Sequence, residues 1–264
     1  MAELYNWKAK TYAEIRPSYP PQLFEFIASH TPSHLLAWDV GTGSGQAARS
    51  LARFYKNVIA TDASRKPLEF ASELPNVQYK HTSLTMSIAE VEQKIAPKSS
   101  LDLVTAAQAV HWFDLPSFYQ QVKWVLKKPH GVIAAWCYTE PKVNSSVDAV
   151  FQQFYTDDSW PFWDSKVRKV VDDEYRTIDF PFEPVDGLDD TGPFEFVAER
   201  GMDLDQFFAY ITSWSAYQTA KVEGIELLRK DVIERFECAW NEDKNDQKVV
   251  KFPVHLKIGR VGNI

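Results

Sequence analysis

Residues 38–48 read WDVGTGSGQAA: an apolar run stops at an acid, three glycines follow at alternate positions, and a helix-forming stretch begins. Without a Cβ, such a turn lets backbone come close to a ligand. The preceding LLAWDVG (35–41) reads as a buried strand, and QAARSLARFY (46–55) as the helix after it. NVIATDAS (57–64) is a second short apolar run that again ends in an acid. Helix RKPLEFASEL, strand NVQYKHTS, a helix near 86–95, strand SLDLVTAAQAV, helix LPSFYQQVKWVLKK and strand GVIAAWCY (131–138) continue the alternation. Strands alternating with amphipathic helices build a parallel sheet covered on both faces through right-handed crossovers. The expected fold is therefore α/β, doubly wound over residues 36–140, with its ligand at the carboxyl ends of the strands.

The spacing of the glycines narrows the ligand. Dinucleotide-binding turns follow G-x-G-x-x-G, whose third glycine allows close helix–strand packing. Here Gln46 stands at that place and the third glycine comes one residue early, as Gly45. Asp39, two residues before Gly41, would repel a pyrophosphate and suits a ligand with a positive end. Asp62, 17 residues after Gly45, closes the second strand, where a carboxylate accepts both ribose hydroxyls. S-adenosylmethionine matches all of this, carrying an ammonium, a sulfonium and no phosphate. A nicotinamide-dependent oxidoreductase is the disfavoured alternative.

Composition sets outer limits. The formal net charge is −7, which argues against a nucleic-acid partner, since phosphate binding needs a basic face. Cys137 and Cys238 lie far apart, neither a disulfide framework nor a metal-ligand cluster, so no metal is expected. MAELYNWKAKTYAEIRP lacks the apolar core of a signal peptide and no stretch approaches transmembrane length. The expectation is a cytoplasmic protein with no membrane partner, a monomer or homodimer, acting on a small molecule. Aromatics are abundant at 14%, and most of those that read as pocket candidates lie after residue 140.

Beyond that point the alternation breaks. Residues 157–194 are rich in Pro, Asp and aromatics and read as a cap over the core. Residues 203–217 and 223–240 look helical, the second keeping Ile225, Leu228, Val232, Phe236 and Trp240 on one face. KVVKFPVHLKIGRV (248–261) reads as a last strand whose Pro253 suits an edge or a bulge. The expected organisation is an N-terminal lid segment (1–35), the cofactor-binding core (36–140), a substrate cap with helices (141–247) and a strand returning to the sheet (248–264). Segments 5–20 and 157–194 are expected to close over bound ligands.

AWDVGTGSGQAA, VIATDAS and LDLVTAAQAVHWFD resemble the class I S-adenosylmethionine-dependent methyltransferases. Within them, YAEIRPSYP (12–20) and AQAVHWFD (107–114) are similar to the trans-aconitate methyltransferase-like group of small-molecule enzymes, which includes plant and fungal members. The resemblance implies a seven-stranded, mainly parallel sheet with one antiparallel strand near the edge and a helical lid. It implies that Asp39, Gly41, Thr42, Gly43 and Gly45 surround the methionine end of the cofactor. Asp62 and Ala63 would meet the ribose, and Ala107 and Gln108 would lie at the fourth strand end. Tyr12 and Arg16 would come from the N-terminal segment. Many members carry an acid after the third strand for the adenine amino group; here the segment is KHTSLTMS, so that contact falls to Thr82, Ser83 or a backbone group.

Methyl transfer from a sulfonium is an in-line displacement that gains from alignment and from exclusion of water. A carboxylate acceptor needs no base; a phenol or amine usually benefits from one. His111, just after the fourth strand, is the candidate base or substrate contact, and its alternative role is to order its own loop beside Trp112 and Asp114. Gln108 contacts ligand or caps the strand. Trp112, Trp160, Trp163, Trp214 and Tyr19 are the candidate substrate-facing aromatics. The expected activity is O-methylation of a carboxyl or hydroxyl group, with N-methylation behind it. A cofactor-binding fold that catalyses another reaction, or no methyl transfer, is the second reading.

Overall fold

The computed structural model describes residues 15–262. Its sheet has seven strands in the order β3-β2-β1-β4-β5-β7-β6. These are β1 (Leu36–Val40), β2 (Asn57–Asp62), β3 (Val77–His81), β4 (Leu103–Ala107), β5 (Val132–Tyr138), β6 (Phe194–Met202) and β7 (Lys248–Arg260). The pairs β1–β2, β1–β4, β2–β3 and β4–β5 are parallel, and β7 runs antiparallel to β5. The strand order reverses between β1 and β4, which leaves a crevice at their carboxyl ends.

The helices between the strands are α1 (Pro21–Ser29), α2 (Gln46–Leu51), α3 (Arg65–Leu68), α4 (Ile88–Lys94) and α5 (Leu115–Val125). Pro21 and Pro116 suit the first turns of α1 and α5, where no intrahelical N–H is needed. Ser87 and Glu90 form a reciprocal capping box that starts α4. Every residue of β5 is buried, as the apolar run VIAAWCY requires of a strand covered on both faces. At the amino ends of the strands, buried Asp102 accepts the N–H groups of Leu35 (2.7 Å) and Leu36 (2.9 Å) and pairs with Lys127 Nζ (2.6 Å). That carboxylate ties the start of β1 to the start of β4.

The chain groups into two compact units. The α/β unit comprises residues 19–139, 170–196 and the described part of 254–264; the other takes the described part of 1–18, with 140–169 and 197–253. This division departs from the expected one: residues 19–35 and 170–196 belong with the α/β unit. The buried apolar side chains of Leu23, Phe24 and Ile27 on α1, and of Val171, Tyr175 and Ile178, give the reason.

The second unit is built on α6 (Ser145–Gln153), α8 (Leu204–Thr212), α9 (Ser215–Val222) and α10 (Lys230–Trp240), with α7 (Ser165–Asp172) beginning in it. Phe207 anchors its core, with ring centroids 5.3 Å from Trp240 and 6.0 Å from Phe151. The helix expected over 223–240 begins only at Lys230, because Gly224 ends α9 with φ +79° and Ile225 is 43% exposed. Strand β6 was not legible in the sequence; most of its nine residues remain partly or fully exposed. Pro253 does not mark an edge strand, since β7 lies between β5 and β6. It falls one residue outside the β5 ladder, which starts at Val254↔Tyr138, so its missing N–H costs that ladder nothing. Among the described residues no helix is long and apolar enough to cross a membrane.

Candidate functional site

The glycine turn joins β1 to α2, and Gly41, Gly43 and Gly45 hold φ of +69°, +58° and +81°. Sterics independently demand glycine at two of the three. A Cβ on Gly45 would stand 2.4 Å from the Tyr79 hydroxyl, and one on Gly41 2.7 Å from the Ala109 Cβ. A Cβ on Gly43 would meet nothing within 4 Å, so open space adjoins the backbone at the tip of the turn. The turn is tied to β2 by Thr42 N–H to Thr61 O and by Gly43 N–H to Asp62 Oδ2, at 2.9 and 2.8 Å.

Asp39 lies beneath this turn and is fully buried. Its two carboxylate oxygens accept the hydroxyls of Thr42 (2.5 Å) and Thr105 (2.7 Å), clamping the turn onto β4. Burial raises its pKa from 3.8 to about 6, against the lowering effect of those hydroxyls. Near neutrality the group is a buried anion with two neutral donors. Asp62, at the carboxyl end of β2, also accepts the Ser64 N–H at 2.8 Å, so backbone donors hold both of its oxygens in place.

Beside the turn a cleft of about 220 Å³ opens at the strand ends. Gly41, Asp62, Ala63, Ser83, Gln108 and Trp112, from four separate parts of the chain, line this one cleft. Thr42, Gly43 and Gly45 form the adjoining turn, and Ala107 ends β4 behind Gln108. Gln108 adopts φ +52° and uses its side chain as a strand would use its backbone. Its Oε1 accepts Tyr138 N–H at 3.0 Å and its Nε2 donates to Tyr138 O at 3.4 Å. The residue thus extends the β4–β5 ladder while facing the cleft. Leu84, Met86, Phe113 and Phe118 also line it and were not singled out from the sequence. A signal existed at Leu84, an apolar residue in a polar segment, which is 67% exposed, and Trp112 is 50% exposed.

His111 is not among the residues lining this cleft. It occupies a short turn of 3-10 helix (Val110–Trp112), and its Nδ1 is 2.6 Å from the hydroxyl of fully buried Tyr175. Burial drives the Tyr175 pKa well above its usual value, so the phenol remains neutral. Tyr19 packs edge-on against Trp136, with centroids 5.4 Å apart, and against Phe24 at 6.4 Å.

Three expected substrate-facing residues and Arg16 belong to the second unit. There Trp163 lies 5.5 Å from Trp214 and 6.1 Å from Tyr155, and Trp160 lies 6.0 Å from Tyr155. The Arg168 guanidinium stacks over the rings of Trp163 (4.7 Å) and Tyr155 (5.0 Å). Trp214 is buried, and only Trp160 is largely exposed, at 41%. Arg16 donates to Ser213 O at 2.9 Å and lies over the Tyr210 ring. Tyr12 lies outside the described residues.

Known proteins share the sequence and the fold of this chain. Residues 38–135 match the model of a methyltransferase domain. A Dictyostelium discoideum protein named as a methyltransferase is 31% identical over 257 residues, covering 96% of this chain and 92% of that relative. A Saccharomyces cerevisiae protein named as S-adenosylmethionine-dependent is 26% identical over 235 residues, 80% of each chain. A solved Anaeromyxobacter dehalogenans structure, titled as a type II methyltransferase, superposes with a TM-score of 0.79 at 30% identity. It covers 94% of this chain and 99% of its own.

Proposed function

Because the chain belongs to the class I S-adenosylmethionine-dependent methyltransferases, we propose that it methylates a small molecule at an oxygen, on a carboxyl or hydroxyl group. The observation that carries the cofactor's placement is the charge of the cleft. Among the described residues its lining includes two carboxylates, Asp62 and Asp114, and no lysine, arginine or histidine. Such walls suit a ligand that is cationic and lacks phosphate. The open space beside Gly43 and the fixed carboxylate of Asp62 fit a ribose and a methionine chain laid across the turn.

When bound, S-adenosylmethionine supplies an electrophilic methyl group on a positively charged sulfur. The remaining work falls to the residues of the chain. Asp62 accepts the ribose hydroxyls through lone pairs left free by Gly43 and Ser64 N–H. Leu84 and Trp112, the exposed apolar pair on the lip, cover the faces of the adenine, and Ser83 or Thr82 meets its polar edge. Asp39 contributes negative potential from below, and Gln108 presents a rigid edge where the methyl group would emerge.

A carboxylate is the favoured acceptor. It attacks without a base, which agrees with a cleft where no described lining residue is a histidine or lysine. His111 stands outside the cleft lining, its Nδ1 2.6 Å from the Tyr175 hydroxyl; with that phenol donating, the ring proton stands on Nε2, which would hold an acceptor oxygen that reaches past the cleft. The trans-aconitate methyltransferase-like resemblance of YAEIRPSYP and AQAVHWFD supports the same acceptor class.

Two measurements test the reading. Calorimetry should show S-adenosylhomocysteine binding and no NAD binding; the reverse would overturn it. Incubation with isotope-labelled methyl donor and a host extract should yield a methyl ester or ether. Cofactor binding with no labelled product would favour a fold that has lost methyl transfer.

A further inference from the structure

The α/β unit holds a second cluster of ionisable groups, apart from the residues that line the cleft. Glu174, Glu195 and His255 bring one ligand atom each to within 4.8 Å of the others. From this placement we propose that the three side chains form a site for a divalent cation of the zinc type.

His255 is the observation that distinguishes this site from an ordinary acidic surface. Its side chain is buried within β7, and its Nδ1 is shut from solvent with no hydrogen-bond partner among the described residues. That nitrogen points at the carboxylates, 3.8 Å from Glu174 Oε2, too long for a hydrogen bond. A buried ring nitrogen left without a partner is costly, and a metal ion is one group that would satisfy it. The other ring nitrogen, Nε2, lies 3.5 Å from the Thr139 hydroxyl, the kind of outer partner that sets the tautomer of a ligating histidine.

The backbone is arranged to deliver the carboxylates. Glu174 and Tyr175 take φ of +59° and +61°, a left-handed pair that side chains other than glycine seldom adopt. Through this turn Glu174 reaches back toward β7 while Tyr175 enters the core beside His111. Glu195 approaches from β6 and is 70% exposed. Arg176 currently holds the position of the cation: its Nη2 is 2.7 Å from Glu174 and 3.6 Å from Glu195. Its side chain is 56% exposed and its Nε also donates to Glu174 at 2.8 Å, so a divalent ion would have to displace this pairing. One imidazole and two carboxylates, closing to bond lengths of about 2.0–2.2 Å, suit Zn²⁺ far better than Mg²⁺. Bound there, an ion would pin the 174–175 turn, and through Tyr175 it would stiffen the support of His111.

The test uses the full-length protein, stripped with a chelator and titrated with Zn²⁺ against a zinc-sensitive dye. One micromolar site is expected. Glu174→Gln and Glu195→Gln should each weaken it by at least about tenfold, and Arg176→Gln should tighten it. These partly exposed positions tolerate such changes, and circular dichroism checks the fold. His255 is buried, so isotope-labelled histidine spectra replace its mutation: Zn²⁺ should shift the His255 Nδ1 resonance. The proposal fails if no Zn²⁺ binds up to millimolar concentration, if both glutamine variants keep wild-type affinity, or if the His255 resonance does not move. None of these readouts depends on methyl transfer.

Discussion

Asp39→Asn separates what the buried carboxylate does for the fold from what it does for the ligand. The carboxyl titrates at 3.8 when exposed and at about 6 in the folded chain. Between those values the folded state holds a proton that the unfolded state has released, so stability falls as pH rises through the window. Above pH 6 the full penalty applies: two units at ~1.4 kcal/mol each, about 3 kcal/mol. Asparagine keeps the shape and removes the charge, but its amide nitrogen cannot accept a hydroxyl as one oxygen of Asp39 does now. Losing that acceptor costs about 1–2 kcal/mol. The ligand-free variant is therefore expected to be more stable than wild type at pH 7 by roughly 1–2 kcal/mol, a rise of several degrees in Tm. Near pH 4, where wild-type Asp39 is largely protonated in the fold, the advantage should vanish. Binding of S-adenosylhomocysteine should weaken at the same time, because the negative potential under the turn is gone. Scanning fluorimetry across pH, with calorimetry at pH 7, measures both. A variant destabilised at pH 7, with wild-type pH dependence, would refute the assignment of a strained anion. Asp39 would then be a plain structural anchor.

Other expectations concern the same region. Gly45→Ala forces a Cβ against the Tyr79 hydroxyl at 2.4 Å, whereas Gly43→Ala meets open space. Both carry the left-handed cost of ~1–2 kcal/mol, so denaturation should show the Gly45 change to be the more damaging; equal losses would contradict the packing. Asp62→Ala should weaken S-adenosylhomocysteine binding by about 1–3 kcal/mol in calorimetry, since the ribose hydroxyls and the N–H groups of Gly43 and Ser64 lose their acceptor. Tyr175→Phe removes the hydroxyl at His111 Nδ1, away from the cleft lining. It should lower kcat while leaving cofactor affinity unchanged, and a parallel loss of cofactor affinity would sink that assignment.

Much of this protein is written locally. The apolar runs ending at Asp39 and Asp62, the helices between them and the glycine spacing are properties of adjacent residues. Strand burial and backbone freedom act over a few positions, so the parallel sheet and the location of the turn could be read from the chain alone. Strand β6 could not, because most of its residues stay partly exposed and its pattern competes with that of a loop. The break at Gly224 was likewise hidden by a helical spacing that ran through it. The roles of charged and polar groups depended on tertiary structure throughout. Asp39 reads as a ligand contact, yet the hydroxyls of Thr42 and Thr105 take both of its oxygens. His111 reads as a base at a strand end, yet Tyr175, from a distant segment, determines where its ring points. Glu174, Glu195 and His255 carry no common motif and meet only because a left-handed turn and two strands place them together. Hydrophobic pattern repeats along the chain and can be read there. The partner of a buried polar atom is chosen by which segments the fold brings within about 3 Å, and that distance exists only in the folded chain.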